Sequence, residues 1–166
     1  FLPLFTLQQM EGRMFRPMIV LLDTATREHL PVETDAASAL GWALIDTGTP
    51  PPHDAAFHRD RTTAALDVID TLRANAFDGL DAFRDLEHRD LQRALAAVDD
   101  AQRPSVRHLV TENRRVQRHV ASMRREDWQM IGALLLMSHD SRRTQWECTS
   151  AAADRIVEVV EGLTSN

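Results

Sequence analysis

The sequence predicts an α+β fold, with a few antiparallel strands at the N-terminal end and about six helices after them. Three observations carry this. Short apolar runs of strand length fill the first third of the chain. Three consecutive prolines, Pro50 to Pro52, break the chain where those runs stop. Beyond them, apolar residues recur at helical spacing almost to the end.

Taken in order, Met18 to Asp23 is an apolar run led in by Pro17 and has the length of a buried strand. Glu28 to Val32 is its expected hairpin partner, with the turn at Thr24-Ala25-Thr26. Trp42 to Asp46 is a further apolar run, ended by Thr47-Gly48-Thr49 and the prolines. Residues 1–52 are thus expected to be strand-rich and residues 53–166 helical, together forming a single partial domain. A helix is expected from near His58, with Ala65, Leu66, Ile69 and Leu72 on one face. Phe77, Leu80, Phe83, Leu86, Leu91, Leu95 and Val98 suit two short helices with a bend. Pro104 should open a long helix, because its missing N–H costs least in a first turn. The apolar face of that helix is Val106, Leu109, Val110, Val116, Val120 and Met123. Glu126-Asp127 places negative charge at the next helix start, ahead of Trp128, Ile131, Leu134, Leu135 and Met137. A last helix carries Ile156, Val159, Val160 and Leu163, and Glu161 to Asn166 reads as its stop.

The bulk properties narrow the function classes. At 43% hydrophobic and 27% charged, the 166 residues are ordinary for a folded, soluble protein. Nineteen basic residues, all arginine, face 25 acidic ones, for a net charge of -6. That field disfavours nucleic acid and anionic membrane, and neither is an expected partner. The single cysteine, Cys148, excludes an internal disulfide framework and a cysteine-rich zinc site. A reducing compartment, and so a cytoplasmic location, is the natural reading. The opening Phe-Leu-Pro-Leu-Phe-Thr-Leu lacks an initiator Met, and its apolar run is too short for a signal peptide or a membrane span. The chain is expected to be entered partway through a longer protein.

Local motifs give competing chemistries. Asp46-Thr47-Gly48 after an apolar run matches the aspartic-protease pattern, whose chemistry needs two such aspartates sharing one proton. The bland reading is a strand ending in a turn that favours Asp and Gly for backbone reasons. Such proteases are almost all β, so the helical remainder of the chain makes this a remote alternative. The seven histidines show no His-Glu-x-x-His spacing, and no metal site is expected. The arginines at 114, 115, 118, 124 and 125 read as a solvated helix face. Glycines occur singly, and no glycine-rich phosphate loop is present.

The segment Ser138-His139-Asp140-Ser141-Arg142-Arg143, then Trp146-Glu147 and Asp154, is more specific. It follows Gly132-Ala133-Leu134-Leu135-Leu136-Met137, and before that Arg107-His108-Leu109-Val110-Thr111-Glu112-Asn113-Arg114-Arg115-Val116. In order and spacing these resemble the galactokinase family of GHMP sugar kinases. There the pattern is Arg-His-Val-Val-x-Glu-x-x-Arg-Val, then Gly-x-Leu-Met, then Ser-His-x-Ser-Leu-Arg-Asp-Asp-Tyr-Glu-Val-Ser-Cys-Pro-Glu-Leu-Asp. Upstream, Val20-Leu21-Leu22-Asp23 and Leu44-Ile45-Asp46-Thr47-Gly48 look like the family's strands, which gives Asp-Thr-Gly an origin outside the proteases. Phe57 to Arg61 looks like the Tyr-x-x-Arg-Arg that opens the following helix. The likeness spans about residues 17 to 162.

The resemblance implies a kinase that phosphorylates the anomeric hydroxyl of galactose with ATP and magnesium. It implies that this chain is the middle to C-terminal part of such an enzyme, a motif-depleted fragment or a degenerate paralogue. The family's sugar-binding Tyr is matched by Phe57, which keeps the ring and loses the hydroxyl. Asp-Asp-Tyr becomes Thr144-Gln145-Trp146, and the catalytic Asp-Gln should fall near Leu7-Gln8-Gln9, where no aspartate stands. The N-terminal sugar motif, the phosphate loop and the late glycine-rich loop are not in the sequence. The chain alone is therefore expected to carry no catalytic residue, no ATP or magnesium site and no activity. Phe57 and the loop from Asp46 to Pro52 are its candidate substrate-binding elements, for galactose or a related sugar. It is an enzyme only if the complete protein supplies the missing motifs. The alternative is a catalytically silent sugar- or protein-binding module. The Ser138-His139 block is expected to end a helix and to act structurally, with His139 near the helix dipole and Glu147 paired with Arg142 or Arg143.

Overall fold

A computed structural model describes residues 19–32, 43, 45–49 and 53–164. Its described elements are two strands, β1 (Ile19–Leu22) and β2 (His29–Val32), and five α-helices. The helices are α1 (Ala55–Asn75), α2 (Leu91–Ala96), α3 (Arg103–Arg124), α4 (Trp128–Thr144) and α5 (Ala151–Thr164). Two 3₁₀ turns, Phe83–Asp85 and His88–Asp90, precede α2. The α+β class read from the sequence holds, with five α-helices described where about six were expected.

The described residues fall into two compact units. One holds the described residues up to Ile45 with Arg115–Leu135, and the other holds Asp46–Arg114 with the described residues from Leu136 onward. In the first unit, β1 and β2 pair antiparallel with Ile19 opposite Val32 and Leu22 opposite His29. Asp23 ends the first strand, because its Oδ1 accepts the Ala25 amide at 2.9 Å and so closes the turn. Ile19 and Val32 are buried, and Leu21, Val120 and Met123 pack against them. Val120 and Met123 in the second half of α3 thereby cover the hairpin. Asp127 caps α4 by accepting the Met130 amide at 3.0 Å, as the acidic pair at its start suggested.

The second unit holds the larger core. Val68, Ile69 and Leu72 of α1 meet Leu80, Leu86, Leu91, Ala94, Leu95 and Val98, with Val106 and Val110 of α3. Asp54 starts α1 by accepting the Phe57 amide at 2.9 Å. Side chains close the connections between helices. Arg73 Nε donates to the Leu80 carbonyl, Asn75 Nδ2 to that of Ala97, and Arg103 Nε to that of Leu95. Backbone acceptors in a loop-rich stretch are thus satisfied without a ladder.

The structure corrects several elements. Ala43, Ile45 and Asp46 are not in a strand, and Ile45 is exposed. Trp42, Leu44 and Pro50 to Pro52 lie outside the described residues, as do Met18 and Leu7 to Gln9. Leu66 is exposed, and Val68 takes the buried place on α1. The stretch from Phe77 to Val98 forms 3₁₀ turns and one short helix in place of two helices. In each 3₁₀ turn the acid at the third position, Asp85 or Asp90, accepts a backbone amide just ahead of the turn at 2.9 Å. That side-chain bond favours a tight turn over a continued helix. Among the described residues, no helix is long and apolar enough to cross a membrane.

Candidate functional site

The sequence-predicted site residues belong to the second unit. Phe57 is half-buried in the first turns of α1. The His53 ring stacks on it, 3.8 Å between centroids and 15° from parallel. His58 meets it edge-on at 5.5 Å. One turn further along α1, the Arg61 guanidinium carbon lies 5.2 Å from the Phe57 ring centroid, within cation–π range.

Asp46 is placed differently. Its Oδ1 accepts the Gly48 amide at 2.8 Å, and Gly48 has φ +63°, a left-handed turn that glycine enters without strain. The Thr47 and Thr49 hydroxyls lie 2.9 Å apart in the same turn. Among the described residues, no hydrogen bond, ion pair or ring contact joins Asp46 to Phe57. The Asp-Thr-Gly geometry is that of a backbone-driven turn, as the bland reading of the motif required.

The Ser138 to Arg143 block ends its helix as expected, since α4 stops at Thr144 with Arg142 and Arg143 in its last turn. Its side chains reach other helices instead of nearby backbone. Ser138 Oγ donates to Glu112 on α3 at 3.0 Å. His139 Nε2 lies 2.9 Å from Asp154 Oδ1 on α5, an ion pair when the ring is protonated. Ser141 Oγ lies 2.9 Å from His108 Nδ1 and donates to Gln145 Oε1 at 2.9 Å. A serine hydroxyl has one proton, so while Ser141 donates to Gln145 it can only accept from His108 Nδ1. The buried His108 ring also stacks on Trp146 at 5.1 Å and 18°. The partner of Glu147 is Arg61, at 2.7 Å, in place of Arg142 or Arg143. Arg142 reaches Cys148 Sγ, and Arg143 pairs with Asp140.

The result is one connected chain of contacts from Phe57 through Arg61 to Trp146, His108, Ser141 and Gln145. Sequence reasoning had His108 and Arg61 only as members of resembled motifs and gave neither a role at the site. Helical spacing gave no signal for His108: it stands two residues from Val106 and from Val110, on the opposite side of α3 from their apolar stripe, and is buried there all the same.

Comparison with known proteins names one activity. A galactokinase from Streptomyces coelicolor is 30% identical over 142 residues, 84% of this chain and 35% of that protein. One from Haemophilus influenzae is 32% identical over 131 residues, 72% of this chain and 34% of that protein. One from Thermotoga petrophila is 26% identical over 145 residues, 86% of this chain and 38% of that protein. No family model matches the chain. By sequence, then, this is a relative of the sugar kinases. More narrowly it is related to the galactokinases, and the resemblance carried by its motifs is borne out over most of its length. The chain spans about a third of the length of the curated relatives it matches.

Proposed function

We propose that this chain is the middle to C-terminal part of a galactokinase-like sugar kinase. In its complete form that protein phosphorylates galactose to galactose 1-phosphate at the expense of ATP, in the cytoplasm. The observation that carries the reading is the similarity to proteins of that one name over most of this chain. The geometry supports a share in the sugar site. Phe57, at the position of the resembled sugar-binding ring, stands half-buried in a cluster with His53 stacked on it and Arg61 within cation–π range.

The residues described here do not fit ATP or magnesium. Gly48, Gly79, Gly132 and Gly162 each stand alone, with no atom crowding the space a side chain would take. Among the described residues, no group of three or more His, Cys, Asp or Glu converges as metal ligands would. On this reading the rest of the complete protein holds the nucleotide and the metal. In an ADP-release assay, the purified 166-residue chain is expected to show no galactose-dependent turnover, while the complete protein turns over. Activity of the chain alone, or none in the complete protein, overturns the reading.

Phe57→Tyr tests the place of Phe57 in the sugar site. A tyrosine restores the hydroxyl of the resembled motif and should strengthen galactose binding to the complete protein by roughly 0.5–1.5 kcal/mol, one neutral hydrogen bond. Titration calorimetry reads this directly, and an unchanged affinity removes Phe57 from the site.

The departures at Phe57 and at Leu7-Gln8-Gln9 favour a second reading, a catalytically silent module that binds a sugar or a partner protein. Galactose binding without turnover in the complete protein would select it.

A further inference from the structure

Arg61 stands where three contacts meet. Its guanidinium carbon lies 5.2 Å from the Phe57 ring centroid and 5.8 Å from that of Trp146. Its Nη2 donates to Glu147 Oε2 at 2.7 Å, although 86 residues separate the two in sequence. The pair thus ties the first turns of α1 to the segment just beyond α4.

Two features set this pair apart from an ordinary surface contact. Glu147 has φ 51°, the left-handed conformation that commonly follows a helix and that glycine adopts more cheaply. A glutamate there is unfavourable for the backbone, and the pair with Arg61 is what its side chain makes. The pair also keeps the resembled pattern on both sides. Arg61 stands at the second Arg of Tyr-x-x-Arg-Arg, and Glu147 at the Glu that follows Tyr, while Phe57 and Trp146 keep a ring in place of each Tyr and Asp60, Thr144 and Gln145 depart from the pattern.

Magnitudes argue against a stabilising role. The Arg61 side chain is 26% exposed and that of Glu147 70%, and a pair with one partner largely in water contributes little to stability. What such a pair supplies is orientation, through the planar fork of a guanidinium held over aromatic rings. We propose that Arg61 and Glu147 are positioning residues for the sugar site. Arg61 bridges the Phe57 and Trp146 rings, and Glu147 fixes the guanidinium in that bridge. The proposal rests on the galactokinase reading above.

The test uses the complete protein with Arg61→Ala, Arg61→Lys and Glu147→Gln. KM for galactose should rise about tenfold in Arg61→Ala and about threefold in Glu147→Gln. Arg61→Lys, which keeps the charge and loses the planar stack, should fall between wild type and Arg61→Ala. KM for ATP and kcat should stay within about twofold, and Tm within about 4 °C, because a pair with one partner largely in water is lost and no core is opened. An unchanged KM for galactose in Arg61→Ala, or equal shifts in both KM values, overturns the proposal. If Arg61→Ala does not fold, Glu147→Gln, isosteric and exposed, decides alone. If wild type does not phosphorylate galactose, the galactokinase reading fails by itself, and the variants are ranked by galactose Kd in calorimetry. The same ranking there supports the positioning role. Equal Kd values, or no galactose binding by wild type, overturn it as well.

Discussion

Leu72→Ala is expected to destabilise the chain by roughly 2–5 kcal/mol, the range for emptying a fully enclosed leucine site. Leu72 is fully buried in the larger core, in the cluster shared by α1, the segment from Leu80 to Val98 and the first half of α3. Its neighbours come from well-separated parts of the chain, so the site collapses poorly once the side chain is cut back. Leu66→Ala, on the same helix but 57% exposed, should stay within about 0.5 kcal/mol of wild type. Urea unfolding followed by far-UV circular dichroism measures both. Similar losses for the two leucines would show that the buried face of α1 has been assigned wrongly.

That pair of leucines also shows how far periodicity reaches. The spacing placed Leu66 and Leu72 together, and both do lie on a helix, but only one faces the core. A hundred degrees per residue defines a stripe to within about one position. Val68 and Leu66 compete for the edge of the stripe, and the neighbouring elements decide between them. The hairpin was legible because its turn chemistry is local. Asp23 bonds Ala25 two residues on, and the register of Ile19 with Val32 follows from that turn. The stretch from Phe77 to Val98 was less legible. Its apolar residues fit short helices, while Asp85 and Asp90 capture backbone amides and tighten the chain into 3₁₀ turns.

The site was legible in its parts and not in its partnerships. Phe57 and the Ser138 block could be picked out by resemblance. No local rule could show that Glu147 reaches Arg61 or that His139 reaches Asp154, because those choices depend on which helices pack. Nearer charges, Arg142 and Arg143, looked better by sequence distance and found other partners. Long-range ion pairs depend on tertiary geometry, which sequence distance does not measure.

The same geometry makes His108 the polar centre of the helical unit, and its loss should be costly without being catalytic. His108→Ala is expected to lower stability by roughly 2–4 kcal/mol, for a buried ring removed and a buried hydrogen bond broken. His108→Phe keeps a ring to stack on Trp146 and loses the bond to Ser141, so it should cost less, roughly 1–3 kcal/mol. Between them the two variants separate packing from hydrogen bonding. A larger loss in His108→Phe than in His108→Ala would mean that the ring is held for polarity alone, against the stacked geometry at 5.1 Å. Catalysis gives the second measurement. His108 Nδ1 lies 2.9 Å from Ser141 Oγ, and the ring is only 6% exposed, so a substrate has no ready approach to it. In the complete protein, kcat of His108→Phe should change by less than about threefold at a temperature where the variant is fully folded, since no general acid or base has been removed. A drop of about a hundredfold under those conditions has the size of a lost proton-transfer group. It would move His108 from the scaffold into the chemistry.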